Sequence, residues 1–275
     1  MMLYLGSKPT LIVSSPDAAE IVLKRHDLDF ASRPQAKFVG RLIYNFTDMG
    51  FSPYGEYWRN LRSICVIQLL SNKRVQSFRS VREEEVALMV EKIAESCMSH
   101  SPFNITEMSA TLTNNIISRV VIGRRYSEEK SGSNFKKIFE EFLELFRSFN
   151  VGDYIPWLEW INHINGLEAK VNRVAKELDE YFENIVEEGM KRHEKILRSR
   201  TSESEKEVKA QKYFLDILLE LQMENINGFT LQRDSVKALI LDMFTAGTDT
   251  TSTLLEWTIT ELVKNKIAMA KLTTK

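Results

Sequence analysis

The stretch Phe244 to Thr251 reads FTAGTDTT and places hydroxyls, a carboxylate and a glycine between two segments of helical composition. Residues three or four apart share a face of a helix, so one continuous helix would form a single seam here. The seam consists of Leu239, Met243, Ala246, Thr250, Leu254 and Trp257. Its ends are bulky, whereas its middle offers a methyl and a hydroxyl beside Gly247. This thin place would leave room for a flat or large group.

Thr250 and Asp249 are the candidate chemical groups of this stretch. Thr250 would present its hydroxyl at the thin place, unless that hydroxyl bonds back to the carbonyl four residues earlier. Asp249 would lie about 100° further round the helix. At that edge of the seam its carboxylate could relay protons or hold water, so both residues are candidates for proton transfer.

The same residues also fit two helices that meet at a turn. Gly247 would end the first helix, and Asp249 or Thr253 would cap the second. Thr253 and Glu256 have the spacing of a capping box, in which each side chain bonds the other's backbone N–H. Residue spacing alone leaves the one-helix and the two-helix interpretations open.

A magnesium site is a third interpretation of this region. Thr248, Ser252 and Glu256 stand four residues apart, as do the ligands of magnesium diphosphate in some terpene cyclases. That arrangement needs Asn or Asp at the first position and a second, Asp-rich segment. The chain has Thr at the first position and no Asp-Asp pair. A hard cation would lack carboxylate ligands, which disfavours this interpretation.

The segment SPYGEYWRNLRSICV contains a second candidate group, Trp58 and Arg62. These residues are one helical turn apart and would share a face. An indole N–H and a guanidinium that point the same way suit a buried carboxylate or phosphate, and Arg59 adds charge nearby. The alternative is a core tryptophan with two solvated arginines.

Composition excludes several classes of function. The 275 residues carry a net charge of −1, which does not favour nucleic acid or an anionic membrane as a partner. No apolar run is long enough to span a bilayer. The four histidines and the two cysteines, Cys65 and Cys97, show no metal-ligand spacing. We therefore expect no metal site made of protein side chains alone and no disulfide framework.

The elements that must position these groups are mainly helices. All six prolines lie at or before Pro156, so the rest of the chain is predicted to be nearly all helical. The predicted elements are a hairpin of Leu3–Leu5 and Leu11–Val13, a short helix from Ser15 to about Arg25, and helices over 54–70, 73–100, 104–123, 134–149, 166–200, 210–223 and 233–264. Residues 37–52 show no clear period, and the charged segment 198–211 is predicted to be a loop.

Taken together, AGTDTT at 246–251 and Trp58-x-x-x-Arg62 resemble two motifs of the cytochrome P450 family, the oxygen-binding helix and the C-helix pair that bonds haem propionate. The resemblance extends through YLGSKPTLIVSSPDAAEIVLKRHDLDFASRP, SPYGEYW, NVGDYIPWLEWINHINGLEAKV and ILDMFTAGTDTTSTLLEW, from about Leu3 to Leu272. In detail it is similar to the plant microsomal type of specialised metabolism. The implied fold is mainly α, a single partial domain over 1–275 with helices A to I and a small N-terminal β-hairpin.

The resemblance implies roles for individual residues. Thr250 would steady dioxygen and pass it a proton, and Asp249 would supply that proton from solvent as a general acid. Ala246 and Gly247 would lie against the haem face. Trp58 and Arg62 would bind the haem propionate. Residues 37–51 and the aromatic stretch before Trp160 would face the substrate.

The resemblance also implies partners and a location. The complete enzyme would insert oxygen into a small apolar substrate, with electrons from NADPH-cytochrome P450 reductase, at the cytosolic face of the endoplasmic reticulum membrane. The family's Glu-x-x-Arg helix, its cysteine-containing haem loop, its membrane anchor and its proline-rich hinge have no counterpart in the sequence. Neither Cys65 nor Cys97 has the context of the axial ligand, whose electron donation drives O–O cleavage.

We therefore expect an incomplete chain that is inactive by itself and either cytosolic or peripheral to a membrane. The alternative is a non-catalytic, truncated or splice-derived helical protein that binds partners or has no role. An uncovered apolar seam would favour association.

Overall fold

The computed structural model describes residues 1–125, 132–200, 212–224 and 229–273. It begins with an antiparallel hairpin of β1, Met2–Leu5, and β2, Lys8–Leu11, in which Tyr4 pairs with Pro9. Gly6 forms the turn at a φ of +62°, a conformation that suits glycine. The predicted hairpin is confirmed, although its second strand begins at Lys8 rather than at Leu11. Pro9 is tolerated because both strands lie at an edge.

Helices make up most of the rest of the described chain. In order they are α1 Pro16–Glu20, α2 Lys37–Leu42, α3 Glu56–Ile64, α4 Asn72–Ser77, α5 Arg79–Met98, α6 Ile105–Val121, α7 Gly132–Phe146, α8 Val151–Tyr154, α9 Ile161–Ile164, α10 Leu167–Arg200, α11 Phe214–Met223, α12 Arg233–Lys264 and α13 Lys266–Thr273. Single π-helical turns extend α1 to Arg25 and α3 to Leu69, and a 3-10 turn spans Pro156–Leu158. The mainly α fold class is confirmed.

Two helix predictions differ from the structure for local reasons. The helix expected over 73–100 is divided at Phe78, whose backbone leaves helical geometry and whose ring is only 2% exposed. Burial of this ring in the core outweighs helix continuity at that point. Residues 37–42, which show no clear period, form α2 because Phe38 and Leu42 are buried. Of the predicted loop 198–211, residues 198–200 belong to α10 and the rest lies outside the described residues.

The segment between α2 and α3 has an unusual backbone. Tyr44, Asn45 and Phe46 take positive φ values of 57°, 55° and 61° in succession. Each left-handed non-glycine residue costs on the order of 1–3 kcal/mol and persists only where the surroundings determine it. We call residues 44–51, which begin with these three residues and precede α3, the docking loop.

The helix α12 is continuous from Arg233 to Lys264, as one interpretation predicted. The two-helix interpretation, with a break at Gly247, is therefore wrong. Packing explains the result, because most helical stability in proteins comes from tertiary contacts rather than propensity. The hydroxyls of Thr245 and Thr250 also bond back within the helix, to Leu241 O at 2.8 Å and Ala246 O at 2.7 Å.

The core lies where α7, α10 and α12 meet. Phe135 of α7 contacts Phe182 of α10 and Phe244 of α12 edge to face, with ring centroids 5.9 and 5.5 Å apart. All three rings are almost completely buried. Within α12 the residues from Ser235 to Leu241 are buried on every side, whereas no residue after Thr248 is buried. In the described part of the chain, no helix is long and apolar enough to cross a membrane.

Candidate functional site

The second half of α12 has one packed face and one open face. Phe244 and Thr248 are buried, whereas Ala246 and Thr250 are exposed. Further along the open face, Leu254 is 66% exposed and Trp257 is 61% exposed. The structure thus presents the predicted seam, with a methyl and a hydroxyl at its start and larger apolar side chains beyond. We call Ala246, Thr250, Leu254 and Trp257 the open face.

Gly247 points away from this face, toward α6. A Cβ at this position would lie 2.5 Å from Cδ1 of Ile117. Real Cβ contacts are never that short, so the glycine lets α12 approach α6 closely. Next to it, the Thr248 hydroxyl donates to Oδ1 of Asn114 at 3.2 Å. Packing of α12 against α6 accounts for the position of both residues.

The Thr250 hydroxyl donates to the carbonyl of Ala246 at 2.7 Å. This is the back-bonded geometry that the sequence left open for a helical threonine. The proton of the hydroxyl is therefore engaged, while its oxygen lone pairs remain free to accept a hydrogen bond. To donate a proton to a bound group, the hydroxyl must first rotate away from Ala246.

Asp249 lies at the edge of the open face and pairs with Arg147, which directly follows α7. Both side chains are substantially exposed, 42% for Asp249 and 60% for Arg147. Water therefore reaches the carboxylate, as a proton donor fed by solvent requires. Sequence reasoning missed Arg147, because a partner 102 residues away leaves no local signal.

Trp58 and Arg62 share a face of α3, as their spacing predicted. The Arg62 guanidinium stacks over the Trp58 ring with 5.2 Å between Cζ and the ring centroid. The Trp58 indole N–H donates to the carbonyl of Met49 in the docking loop at 3.0 Å. Trp58 is half-buried and Arg62 is exposed. Arg59 is also exposed and stacks over Tyr54 at 5.9 Å.

The hydrogen-bond donors on this face of α3 suit a ligand that carries a carboxylate. Among the described residues, no carboxylate or carbonyl of the protein binds the Arg62 guanidinium, so its forked N–H donors are free for such a ligand. The Trp58 N–H already has an acceptor and could take part only by sharing it. In the described residues, no hydrogen bond, ion pair or ring contact joins this pair to the open face of α12.

The cysteines lie in contrasting places. Cys65 follows α3 and is completely buried in the hydrophobic core. Burial, together with the negative charge of Asp242, raises the pKa of its thiol to about 12. Cys97 is exposed near the end of α5. A buried thiol with this pKa remains protonated at neutral pH and is a poor metal ligand. Across the described ranges, no group of three or more His, Cys, Asp and Glu residues is placed to hold a metal ion.

Two acids, the buried Asp48 and the half-buried Asp242, lie where the docking loop meets α12, and sequence reasoning missed both. Asp242 accepts a hydrogen bond from the Met49 backbone N–H at 2.8 Å, and Asp48 accepts one from the Phe51 N–H at 2.7 Å. Asp48 is 1% exposed. The sequence contains one indication of Asp242: it is the only charged residue in the apolar run ILDMF. A charged residue is unusual in the buried part of a helix.

Comparisons with known proteins match nearly the whole chain. A family model described as Cytochrome P450 matches residues 1–274. Tabersonine/lochnericine 19-hydroxylase of Catharanthus roseus is 49% identical over 272 residues, which are 99% of this chain and 52% of that protein. Cytochrome P450 71A2 of Solanum melongena is 51% identical over 99% of this chain and 52% of that protein. Norfluorocurarine oxidase of Strychnos sp is 45% identical over 100% of this chain and 53% of that protein.

Solved structures show the same fold. A zebra fish cytochrome P450 with abiraterone superposes with a TM-score of 0.68 at 20% identity, over 95% of this chain and 55% of that one. A structure with progesterone gives a TM-score of 0.64 at 22% identity, over 95% of this chain and 56% of that one. The chain spans about half the length of the curated relatives that it matches.

Proposed function

The chain belongs to the cytochrome P450 family, and we propose that the open face of α12 and the Trp58–Arg62 pair line one side of a haem pocket in a monooxygenase. The observation that supports this proposal is the open face. There α12 exposes the methyl of Ala246 and the hydroxyl of Thr250, whereas its opposite face is packed. A planar apolar macrocycle fits such a surface, and its carboxylates fit the free donors of Arg62. When bound, haem supplies the redox chemistry of the reaction.

The residues of α12 would then manage protons and space. Asp249 takes up a proton from solvent at the edge of the face, and its pairing with Arg147 must open for this to occur. Thr250 holds a proton at Oγ1 and delivers it once the hydroxyl turns away from the Ala246 carbonyl. Ala246 contributes a small contact surface. Gly247 contributes indirectly, because its contact with Ile117 sets the spacing of α6 and α12.

Binding of the cofactor tests this assignment without any need for turnover. Haemin titrated into the purified chain should show weaker binding, by at least tenfold, after Ala246→Trp, because the indole would fill the thin place. Ala94→Trp on the exposed side of α5 is the matched control and should leave binding unchanged. Arg62→Ala should weaken binding more than Arg59→Ala, which removes the same charge. Equal affinities across all four variants would contradict the proposal.

The chain by itself is expected not to catalyse monooxygenation. The burial and the high pKa of Cys65 and the surface position of Cys97 support this expectation, because neither is placed as a thiolate ligand. The reduced, CO-treated chain should therefore lack the Soret band of thiolate-bound haem. A Soret band at the family's position would overturn the expectation.

Membership of the family suggests a class of substrate, a redox partner and a location for the complete enzyme. The names of two relatives refer to oxidation of tabersonine or lochnericine and of norfluorocurarine. We propose a small apolar substrate, electrons from NADPH-cytochrome P450 reductase, and a place at the cytosolic face of the endoplasmic reticulum. Residues 37–51 and the aromatic stretch before Trp160 are the proposed substrate-facing regions.

A second candidate function is an interaction role without catalysis. It is favoured by the apolar side chains exposed along α12 and α13, namely Leu254, Trp257, Val263, Ile267 and Leu272, each at least 60% exposed. An uncovered apolar surface of this kind drives association. Sedimentation of the purified chain decides this point, since a monomer at micromolar concentration would contradict the interaction role.

A further inference from the structure

The docking loop is attached to α12 at two points, once through Tyr57 of α3 and once directly. The Tyr57 hydroxyl donates to the carbonyl of Thr47 at 2.7 Å and lies 2.9 Å from the hydroxyl of Ser235 on α12. Asp242 on α12 accepts the Met49 N–H. Because the loop begins with three left-handed residues, these contacts must maintain a backbone that is unfavourable by itself. The loop is therefore an element whose position depends on its attachment.

The attachment continues from Met49 to Trp58. The Met49 amide N–H donates to Asp242, and the carbonyl of the same residue accepts the Trp58 indole N–H at 3.0 Å. One residue of the loop thus joins a carboxylate of α12 to the tryptophan of α3. Movement of Met49 away from Asp242 would remove the acceptor of the indole and leave Trp58 free to reorient.

The carboxylate that makes this attachment faces a second acid. A Cβ placed on Gly50 would lie 3.2 Å from Oδ2 of Asp48 and 3.7 Å from Oδ1 of Asp242, so both carboxyl groups border the same small space. Oδ1 of Asp48 is buried without a hydrogen-bond partner. A buried acceptor without a partner is costly, and a proton on one of the two acids removes the repulsion between them.

The other titratable groups around the pair do not neutralise it. Tyr57 and Cys65 face it from α3 and the turn that follows, and burial raises the pKa of both, so both are uncharged at neutral pH. Among the described residues, no lysine, arginine or histidine forms an ion pair with Asp48 or Asp242. Lys237, which lies on α12 close by, pairs with Asp179, Glu183 and Asp234 instead.

We propose that Asp242 is a positioning residue for Trp58, and that it docks Met49 and the docking loop onto α12 only while the Asp48–Asp242 pair carries a proton. Burial first, and then the negative charge of Asp48, outweigh the backbone N–H bonds of Met49 and Gly50, which act to lower the pKa of Asp242, and raise it to about 7. Burial also raises the pKa of Asp48. A raised pKa means that the docked state binds the proton more tightly than the undocked state. Docking is therefore strongest at low pH and weakens as the pH rises through about 7.

If the proposed function is right, undocking would also move Trp58, one of the proposed contacts to the haem propionate. Only this consequence rests on the proposed function. The docking itself can be measured without a cofactor. If haemin fails to bind while the docking transition is present, the proposed function fails and this inference stands.

The test uses the intrinsic fluorescence of Trp58. Replacement of the three other tryptophans, each more than half exposed, as Trp157→Phe, Trp160→Phe and Trp257→Phe leaves Trp58 as the single fluorophore. Between pH 5 and 9 its emission should shift to the red with a midpoint no higher than about 7, as the indole loses Met49 and gains water. Asp242→Asn should abolish the transition, since the amide still accepts the Met49 N–H but cannot titrate. Asp48→Asn should lower the midpoint by at least one pH unit.

The control is Asp27→Asn, which removes the same charge from an exposed position and should leave the midpoint unchanged. A parent protein without a transition, or a transition that survives Asp242→Asn, would overturn the proposal. Far-UV circular dichroism checks that each variant is folded. If Asp242→Asn is unfolded, amide hydrogen exchange of residues 47–51 in the parent protein is measured instead. Corrected for intrinsic exchange rates, their protection should fall between pH 6 and 8. Protection that does not fall would equally overturn the proposal.

Discussion

The Asp249 carboxylate and the Arg147 guanidinium form an ion pair across 102 residues of sequence, at the edge of the open face of α12. In the proposed function the carboxylate is a proton donor, and its arginine partner holds it in place at the edge of the face. Both side chains are well exposed, so the pair is suited to opening and closing rather than to stabilising the fold.

Removal of Arg147 should therefore change stability little. Exposed ion pairs contribute about 0–1 kcal/mol, and that contribution is screened by salt. We expect Arg147→Ala to lower the free energy of unfolding by less than about 1 kcal/mol in urea titrations at low salt. Arg147→Lys is the matched control, and because it keeps the positive charge it should retain part of the ion pair's contribution to the free energy of unfolding. A larger loss that persists at high salt would show that the pair has a structural role.

The contact between Gly247 and Ile117 predicts a specific coupling. Gly247→Ala would gain about 1 kcal/mol of helix propensity, but the new methyl collides with Ile117. Overpacking of this kind costs about 1–3 kcal/mol. We expect the substitution to be neutral or destabilising in the native background, and to be stabilising by about 1 kcal/mol in an Ile117→Ala background. A double-mutant cycle in urea measures the difference, and additivity of the two changes would exclude the close approach.

Glu84 and Glu85 are adjacent acids that should differ in their effect on stability. Glu85 is 2% exposed at its side chain and pairs with Arg119 and Arg125, whereas Glu84 is 54% exposed and pairs with Arg119. We expect Glu85→Gln to cost about 2–3 kcal/mol, because it removes the charge of the buried carboxylate that both arginines bind. Glu84→Gln should cost less than about 1 kcal/mol. Equal losses would contradict the assigned burial.

The pH dependence of the same site has a definite sign. Burial acts to raise the pKa of Glu85, but the hydrogen bonds and charges of Arg125 and Arg119 outweigh it and hold the pKa below its usual value. A lowered pKa contributes stability above the ordinary carboxyl pKa, and that stability is lost as the pH falls through the folded-state value. The free energy of unfolding should therefore fall less steeply below about pH 4.5 in Glu85→Gln than in the native chain.

The two cysteines predict a labelling pattern. The Cys65 thiol is buried with a pKa of about 12, whereas Cys97 is exposed. Iodoacetamide reacts with the thiolate, so the folded chain at pH 8 should take up one label, at Cys97. The denatured chain should take up two. Mass spectrometry of the digested protein measures both states, and rapid labelling of Cys65 in the folded chain would show that it is accessible and ionised.

The sequence alone determined the helical class, most helix extents and the family. Apolar side chains at steps of three and four residues predict helices because that periodicity is local. The segments AGTDTT and Trp58-x-x-x-Arg62 likewise carry their information in short windows, and their placement on shared helix faces followed from helical geometry alone.

The tertiary structure decided what local spacing left open. Whether α12 breaks at Gly247 depended on the close packing of α6, which favours the continuous helix. The Arg147 partner of Asp249, and the meeting of Asp48 with Asp242, join residues more than 100 positions apart. No periodicity encodes such pairs, because they arise only when the burial of many apolar side chains brings distant segments together. The motifs can thus be read from the sequence, whereas the partners that control their protons and orientation cannot.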